Sequence, residues 1–166
     1  MTLDNIPPGP AVFVDANILL YYFTAHPAHG LAAKKLLDRI EKKDIEGHSS
    51  THVLGEVVHR LMTIEACTRF NWPAKGLAQR LRRHPTEVQQ LTQHRQAMDE
   101  IPLFGLQILA VGVQTVSEAV NLSRQTGLLY ADSLVLAAMR TQNLVHLASA
   151  DGDFDRVAGL TRYAPA

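Results

Sequence analysis

The sequence predicts an α/β protein, a three-layer α/β/α sandwich around a central, mostly parallel sheet, and three observations carry that prediction. Ala11-Val12-Phe13-Val14 is an unbroken apolar run of β-branched and aromatic residues. A strand with one face in water would alternate, so this run reads as a strand buried on both faces, as in a parallel sheet covered by helices. Strand-like runs then alternate with stretches of helical periodicity along the chain, the order that right-handed crossover units produce. Finally, acids recur where these elements end or begin: Asp15, Asp132 and Asp151. Open α/β sheets bind ligands in the crevice outside the carboxyl ends of their strands.

At 166 residues the chain fits one domain, residues 1–166, large enough to bury a core without disulfides. Cys67 is the only cysteine and has no internal partner. Met1-Thr2-Leu3-Asp4-Asn5 lacks the basic and apolar regions of a secretory leader, and no stretch approaches the roughly 18 apolar residues of a membrane span. A cytoplasmic protein without membrane contact is the expectation. Lys plus Arg and Asp plus Glu balance at 16 each, so any polyanion-binding surface has to be local.

Taken in order, residues 1–10 with Pro7-Pro8-Gly9-Pro10 read as a non-helical lead-in. The first strand passes through Asp15-Ala16-Asn17 into a short helix, and Ala25-His26-Pro27 breaks the chain. From Ala28 to about Lys43, Ala32, Leu36, Leu37 and Ile40 recur at helical spacing between charged residues, an amphipathic surface helix. Residues 44–49 are a short, weakly marked strand. Ser50-Thr51 can cap a helix to about Thr68, on which Val53, Leu54, Val57, Val58, Leu61 and Ile64 form a wide apolar stripe. That stripe is either core or the surface for a partner.

After Asn71-Trp72-Pro73, residues 74–98 read as two helices divided at His84-Pro85, an insertion on the rim of the sandwich. Leu106 to Val113 reads as a strand, and Thr115 to Thr126 as a helix closed by Gly127. A helix begins at Tyr130-Ala131-Asp132-Ser133 and runs to about Arg140. Leu144 to Ser149 is a strand, Asp151-Gly152-Asp153 a turn, and Gly159 to Tyr163 an edge strand.

Each acid has an ordinary structural reading: Asp15 and Asp132 as helix caps, Asp151 and Asp153 as Asx-type turn residues. Glu56 differs, because it lies inside a strongly apolar helix where an unpaired carboxylate is costly to bury. In a parallel sheet these acids can converge on one rim, and a cluster of like charges is stable around a cation. Oxygen-only ligands favour Mg²⁺ or Mn²⁺ over Zn²⁺.

Four segments, in this order, resemble the motifs of the PIN domain: Val12-Phe13-Val14-Asp15-Ala16-Asn17; Ser50 with Glu56 six residues on; Ala131-Asp132-Ser133-Leu134-Val135-Leu136-Ala137-Ala138; and Leu147-Ala148-Ser149-Ala150-Asp151-Gly152-Asp153-Phe154. More narrowly they are similar to the VapC-type ribonuclease toxins of toxin–antitoxin pairs. The resemblance implies a PIN-like fold and a metal-dependent ribonuclease that cuts single-stranded RNA. It implies catalytic acids at Asp15, Glu56, Asp132 and Asp151, an Mg²⁺ or Mn²⁺ site on Asp15, Asp132, Asp151 and Asp153, and supporting roles for Asn17 and Ser50. It further implies a cognate antitoxin as partner and a homodimer. Val53 stands where the family often has Thr, and Ser149 where Thr is usual.

Arg69, Lys75, Arg80, Arg82, Arg83 and Arg95 lie close together in sequence, with Glu87 the one acid from Arg69 to Arg95. They read equally as an RNA-binding surface, as a solvated face or as a contact for an acidic partner. Two rival enzymes also draw on this chain. A zinc or iron site from His52, Glu56 and His59 has ligands on one helix face but no His-Glu-x-x-His and no second Glu-x-x-His. A phosphatase of the haloacid dehalogenase kind wants an Asp where Asn17 stands. The alternative outside enzymes is a non-catalytic PIN-fold module that binds RNA or a partner.

Overall fold

A computed structural model describes residues 1–166. Five strands, β1 (Ala11–Val14), β2 (Glu46–Ser50), β3 (Gln107–Leu109), β4 (His146–Ala148) and β5 (Thr161–Tyr163), form one sheet in the order β3-β2-β1-β4-β5. Every pairing is parallel. Eight helices accompany it: α1 (Ala16–Phe23), α2 (Gly30–Glu41), α3 (Thr51–Arg69), α4 (Leu77–Arg83), α5 (Pro85–Val88), α6 (Gln93–Glu100), α7 (Val113–Thr126) and α8 (Tyr130–Arg140).

β1 is the centre of the sheet because it is the most apolar strand: Val12, Phe13 and Val14 are fully buried, on both faces. The chain moves from β1 outward to β2 and β3, then returns across β1 to β4 and β5. With right-handed crossovers, α1, α2, α3 and α6 lie on one face and α7 and α8 on the other, while α4 and α5 pack on the carboxyl half of α3. The reversal of direction lies between β1 and β4. That is the topological switch point where an open parallel sheet leaves a crevice at its carboxyl edge.

Packing corrects several sequence expectations. The lead-in contains a 3-10 turn, Leu3–Asn5, and is not wholly non-helical. Leu3 and Ile6 are buried in the core, and Leu3 N–H donates to Ala164 O beside β5. β3 is three residues long, not the Leu106–Val113 run, and Gln107 and Ile108 are exposed because this strand is an edge with a neighbour on one side only. The apolar stripe of α3 is mostly core: Val53, Val57 and Leu61 are fully buried, and Leu54 and Ile64 pack against the main cluster.

The 74–98 insertion is three helices, not two, and only part of it is an addition. Pro85 starts α5, where its missing N–H leaves no helix bond unmade. Leu77, Leu81 and Leu91 form a satellite cluster with Ala66 on the carboxyl half of α3. Ala97, Ile101 and Phe104 instead join the main core. The break before α6 comes from Glu65 on α3, 6% exposed, whose carboxylate accepts from Thr92 N (2.9 Å) and Gln93 N (2.9 Å). A buried acid thus satisfies the first free N–H groups of α6 and faces its positive end. No helix is long and apolar enough to cross a membrane.

Candidate active site

Asp15 closes β1 and caps α1. Its Oδ1 accepts from Ala16 N (2.7 Å), and its Oδ2 accepts from Asn17 Nδ2 (2.6 Å) and Ser149 Oγ (2.6 Å). The side chains come from the two strands that flank the switch point, since Ser149 follows β4 directly. Asn17 Oδ1 in turn accepts from Ala150 N (3.0 Å), and Ser149 Oγ from Asp151 N (3.0 Å). This network fixes the β4 exit loop to the β1 exit and so fixes the position of Asp151 relative to Asp15. Asp151 Oδ1 accepts from Asp153 N (2.8 Å), the Asx turn that its sequence predicts.

Asp132 lies in the first turn of α8, behind the cap position, which Leu129 occupies without a side-chain bond. The capping role is therefore absent and its carboxylate is left to the site. Glu56, half-buried, stands one turn inside α3, and α3 and α8 meet at this rim from opposite faces of the sheet. Ser50 is fully buried and accepts from Val53 N (3.3 Å) as the cap of α3.

The acids share a field. Burial, foremost, pushes Asp15 up to about 6; the Ser149 and Ala16 hydrogen bonds oppose the shift, and the charges of Glu56 and Asp132 add to it. Asp132 is held above the usual carboxylate range by burial, then by Asp151, Asp153 and Glu56, with His52 acting against them. Five acids from β1, α3, α8 and the β4 exit thus act on one another at one edge of the sheet. A site that penalises its own charges in this way favours a cation.

The donor set is carboxylate oxygen, which suits a hard divalent ion. As placed, no three His, Cys, Asp or Glu side chains are gathered tightly enough to hold one. That holds for the acids and equally for His52, Glu56 and His59. Asp153 is also exposed and ion-paired with Arg156, so its carboxylate is shared with a guanidinium.

The basic residues do not act as one group. Arg69 is tied down, donating to Gln90 O (2.7 Å) and lying 3.6 Å from Glu65. Lys75, Arg80 and Arg83 line one cleft, whereas Arg82 and Arg95 are exposed outside it. Sequence reasoning did not assign Ser149 to the site, although a hydroxyl two residues before Asp151 at a strand end is a visible signal. It also missed Glu65, for which the sequence carries no signal, since its partners are 27 and 28 residues away.

A sequence profile of the PIN domain matches residues 12–160. The chain is 28% identical over 148 residues to Ribonuclease VapC2 of Methanocaldococcus jannaschii, covering 88% of each protein. Among solved structures, it is similar to VapC20 of Mycobacterium tuberculosis, described as a sarcin-ricin loop cleaving toxin, with TM-score 0.62 and 20% identity over 90% of this chain and 96% of that one. It is also similar to VapBC2 from Rickettsia felis bound to a promoter DNA fragment, with TM-score 0.60 and 17% identity over 94% and 99% of the two chains. Since the profile runs from inside β1 to the residue before β5, the chain belongs to the PIN domain family.

Proposed function

We propose that the protein is a divalent-metal-dependent ribonuclease of the cytoplasm, cutting single-stranded RNA as the toxin of a toxin–antitoxin pair. The observation that carries this reading is that Asp15, Glu56, Asp132 and Asp151 share one field at the switch-point rim, where burial and the charges of neighbouring acids raise Asp15 and Asp132. The similarity to Ribonuclease VapC2 and to toxin structures supports the same class.

Asp15, Asp132, Asp151 and Asp153 are the residues that would hold Mg²⁺ or Mn²⁺. When bound, the ion supplies positive charge for the scissile phosphate and acidifies water for attack. The protein's part is positional. Ala16, Asn17 and Ser149 hold the Asp15 carboxylate in one orientation, so it needs no reordering when substrate arrives. Asn17 and Ser149 lock Asp151 to the same frame. Glu56 faces them from α3, suited to accept a proton from attacking water. The antitoxin, and a second copy of this chain, are the proposed protein partners.

The purified protein is expected to cleave single-stranded RNA with Mg²⁺ or Mn²⁺ and to lose cleavage in EDTA. Asp15→Asn is expected to abolish cleavage and to leave circular dichroism unchanged. Binding of RNA without cleavage by the metal-replete wild type would instead favour the non-catalytic module. Loss of activity in His52→Ala and His59→Ala with Asp132→Ala still active would move the site to the histidines.

A further inference from the structure

On the insertion, away from the acids, a cleft of about 350 Å³ is lined only by Lys75, Gly76, Gln79, Arg80, Arg83 and His84. Gly76, Gln79, Arg80 and Arg83 recur at spacings of three and four, one face of α4 and its lead-in. The opposite face carries Leu77 and Leu81 into the satellite cluster with Ala66 and Leu91. The cations are therefore displayed by a packed platform. Arg80 lies over the Trp72 ring, 5.4 Å from its centre, and Trp72 is braced by Phe70 and His84 at 5.0 and 5.1 Å between ring centres. His84 has Glu87 at 3.5 Å, whereas Lys75, Arg80 and Arg83 have no carboxylate partner. In a chain of zero net charge, three cations gathered around one cleft without counter-charges mark a place for an anion.

We propose that this cleft grips the phosphate backbone of RNA through Lys75, Arg80 and Arg83, as an anchoring site separate from the acidic rim. The proposal rests on the reading of that rim as an RNA-cleaving site. Its lining argues for RNA over a protein partner: protein interfaces close around an apolar centre, and this cleft has no apolar residue. A polyanion with bases that stack on guanidinium planes needs none, and Arg80, held over Trp72, offers such a plane at the cleft. From Glu56 to Phe70, α3 advances about 21 Å at 1.5 Å per residue, so the cleft engages a strand several nucleotides from the acids.

The test is binding of a fluorescein-labelled 20-nucleotide single-stranded RNA to full-length protein, in an Asp15→Asn background so that nothing is cut, across a salt series. Lys75→Gln/Arg80→Gln/Arg83→Gln is expected to weaken binding at least tenfold at low salt. It should also flatten the slope of log affinity against log salt by about two, three phosphate contacts at about 0.7 each. Lys34→Gln/Lys35→Gln, which removes charge from α2, should leave both nearly unchanged. Unaltered affinity in the cleft variant, or an equal loss in the α2 variant, overturns the proposal. So does a cleft variant that keeps RNA affinity but loses binding of a poly-glutamate peptide, which would make the cleft a protein contact. Cleavage by the wild type is read separately, so an absence of nuclease activity with the cleft effect intact would remove the nuclease reading and leave the anchoring site standing.

Discussion

At the residue scale, Asp15 is an acid that burial holds well above its ordinary range. Its carboxyl is raised to about 6 from 3.8, so the folded protein binds this proton more tightly than the unfolded chain does. Below pH 3.8 the group is neutral in both states and costs nothing. As pH rises from there through 6 it ionises first in the unfolded chain, and stability falls by roughly 3 kcal/mol in order of magnitude. Asp132, also raised, acts in the same sense. Metal-free protein is therefore expected to lose stability between about pH 4 and pH 6 in urea titrations, a slope that Asp15→Asn reduces and saturating Mg²⁺ opposes. The amide of Asn meets the Asn17 and Ser149 donors less well than a carboxylate does, so the gain at pH 7 is smaller than the full figure. Stability that rises through this window would contradict the burial of Asp15.

At the element scale, β2 and α6 show structure imposed from outside the segment. β2, Glu46–Ser50, is polar by composition, yet His48, Ser49 and Ser50 are buried because β1 and β3 take its backbone groups on both sides. Ser49 Oγ donates to Val14 O (3.0 Å), which satisfies the hydroxyl inside the sheet. Gly47 is required here: a Cβ would stand 2.6 Å from Ile40 Cγ2 and 2.7 Å from Leu106 Cδ2. Gly47→Ala is expected to lower stability by about 1–3 kcal/mol through overpacking, measured by urea denaturation. Similarly, Glu65→Ala leaves the Thr92 and Gln93 N–H groups without their acceptor and should destabilise by about 1–3 kcal/mol. Hydrogen exchange should then show protection lost at those two amides before it is lost in β1. Unchanged protection there would mean that α6 does not depend on its buried cap.

At the scale of the whole molecule, the switch point joins fold to chemistry. The reversal between β1 and β4 puts Asp15 and Asp151 on neighbouring strand ends, and the two helical layers bring Glu56 and Asp132 to them from opposite faces. The toxin reading belongs to this scale because it concerns the protein in a cell. Expression of residues 1–166 without a partner is expected to slow bacterial growth, and Asp15→Asn to relieve it. Normal growth with soluble, metal-replete protein in several hosts would point to a housekeeping nuclease or a binding module. Most of the α3 stripe is taken up by the core, with Val53, Val57 and Leu61 buried. Val113, Val116 and Val120 are exposed on α7, at 81%, 37% and 51%.

Local signals in the sequence determined the α/β class, the buried β1, the helix caps at Asp15 and Ser50 and the Asx turn at Asp151, because each depends on residues within a few positions of one another. Asp15, Asp132 and Asp151 were legible for the same reason, since each sits at the end or start of an element with its own pattern, whereas Glu56 stood out as an acid inside an apolar helix. What only the tertiary structure decided involves partners distant in the chain. Ser149 reaches Asp15 across 134 residues and Glu65 reaches Thr92 across 27. The edge position of β3 shortens it, and the satellite cluster sorts six basic residues into one tied arginine, three cleft cations and two exposed ones. Periodicity records which face of an element is apolar. It carries no record of which buried polar group will find a donor on another element, because that match exists only once the chain has folded.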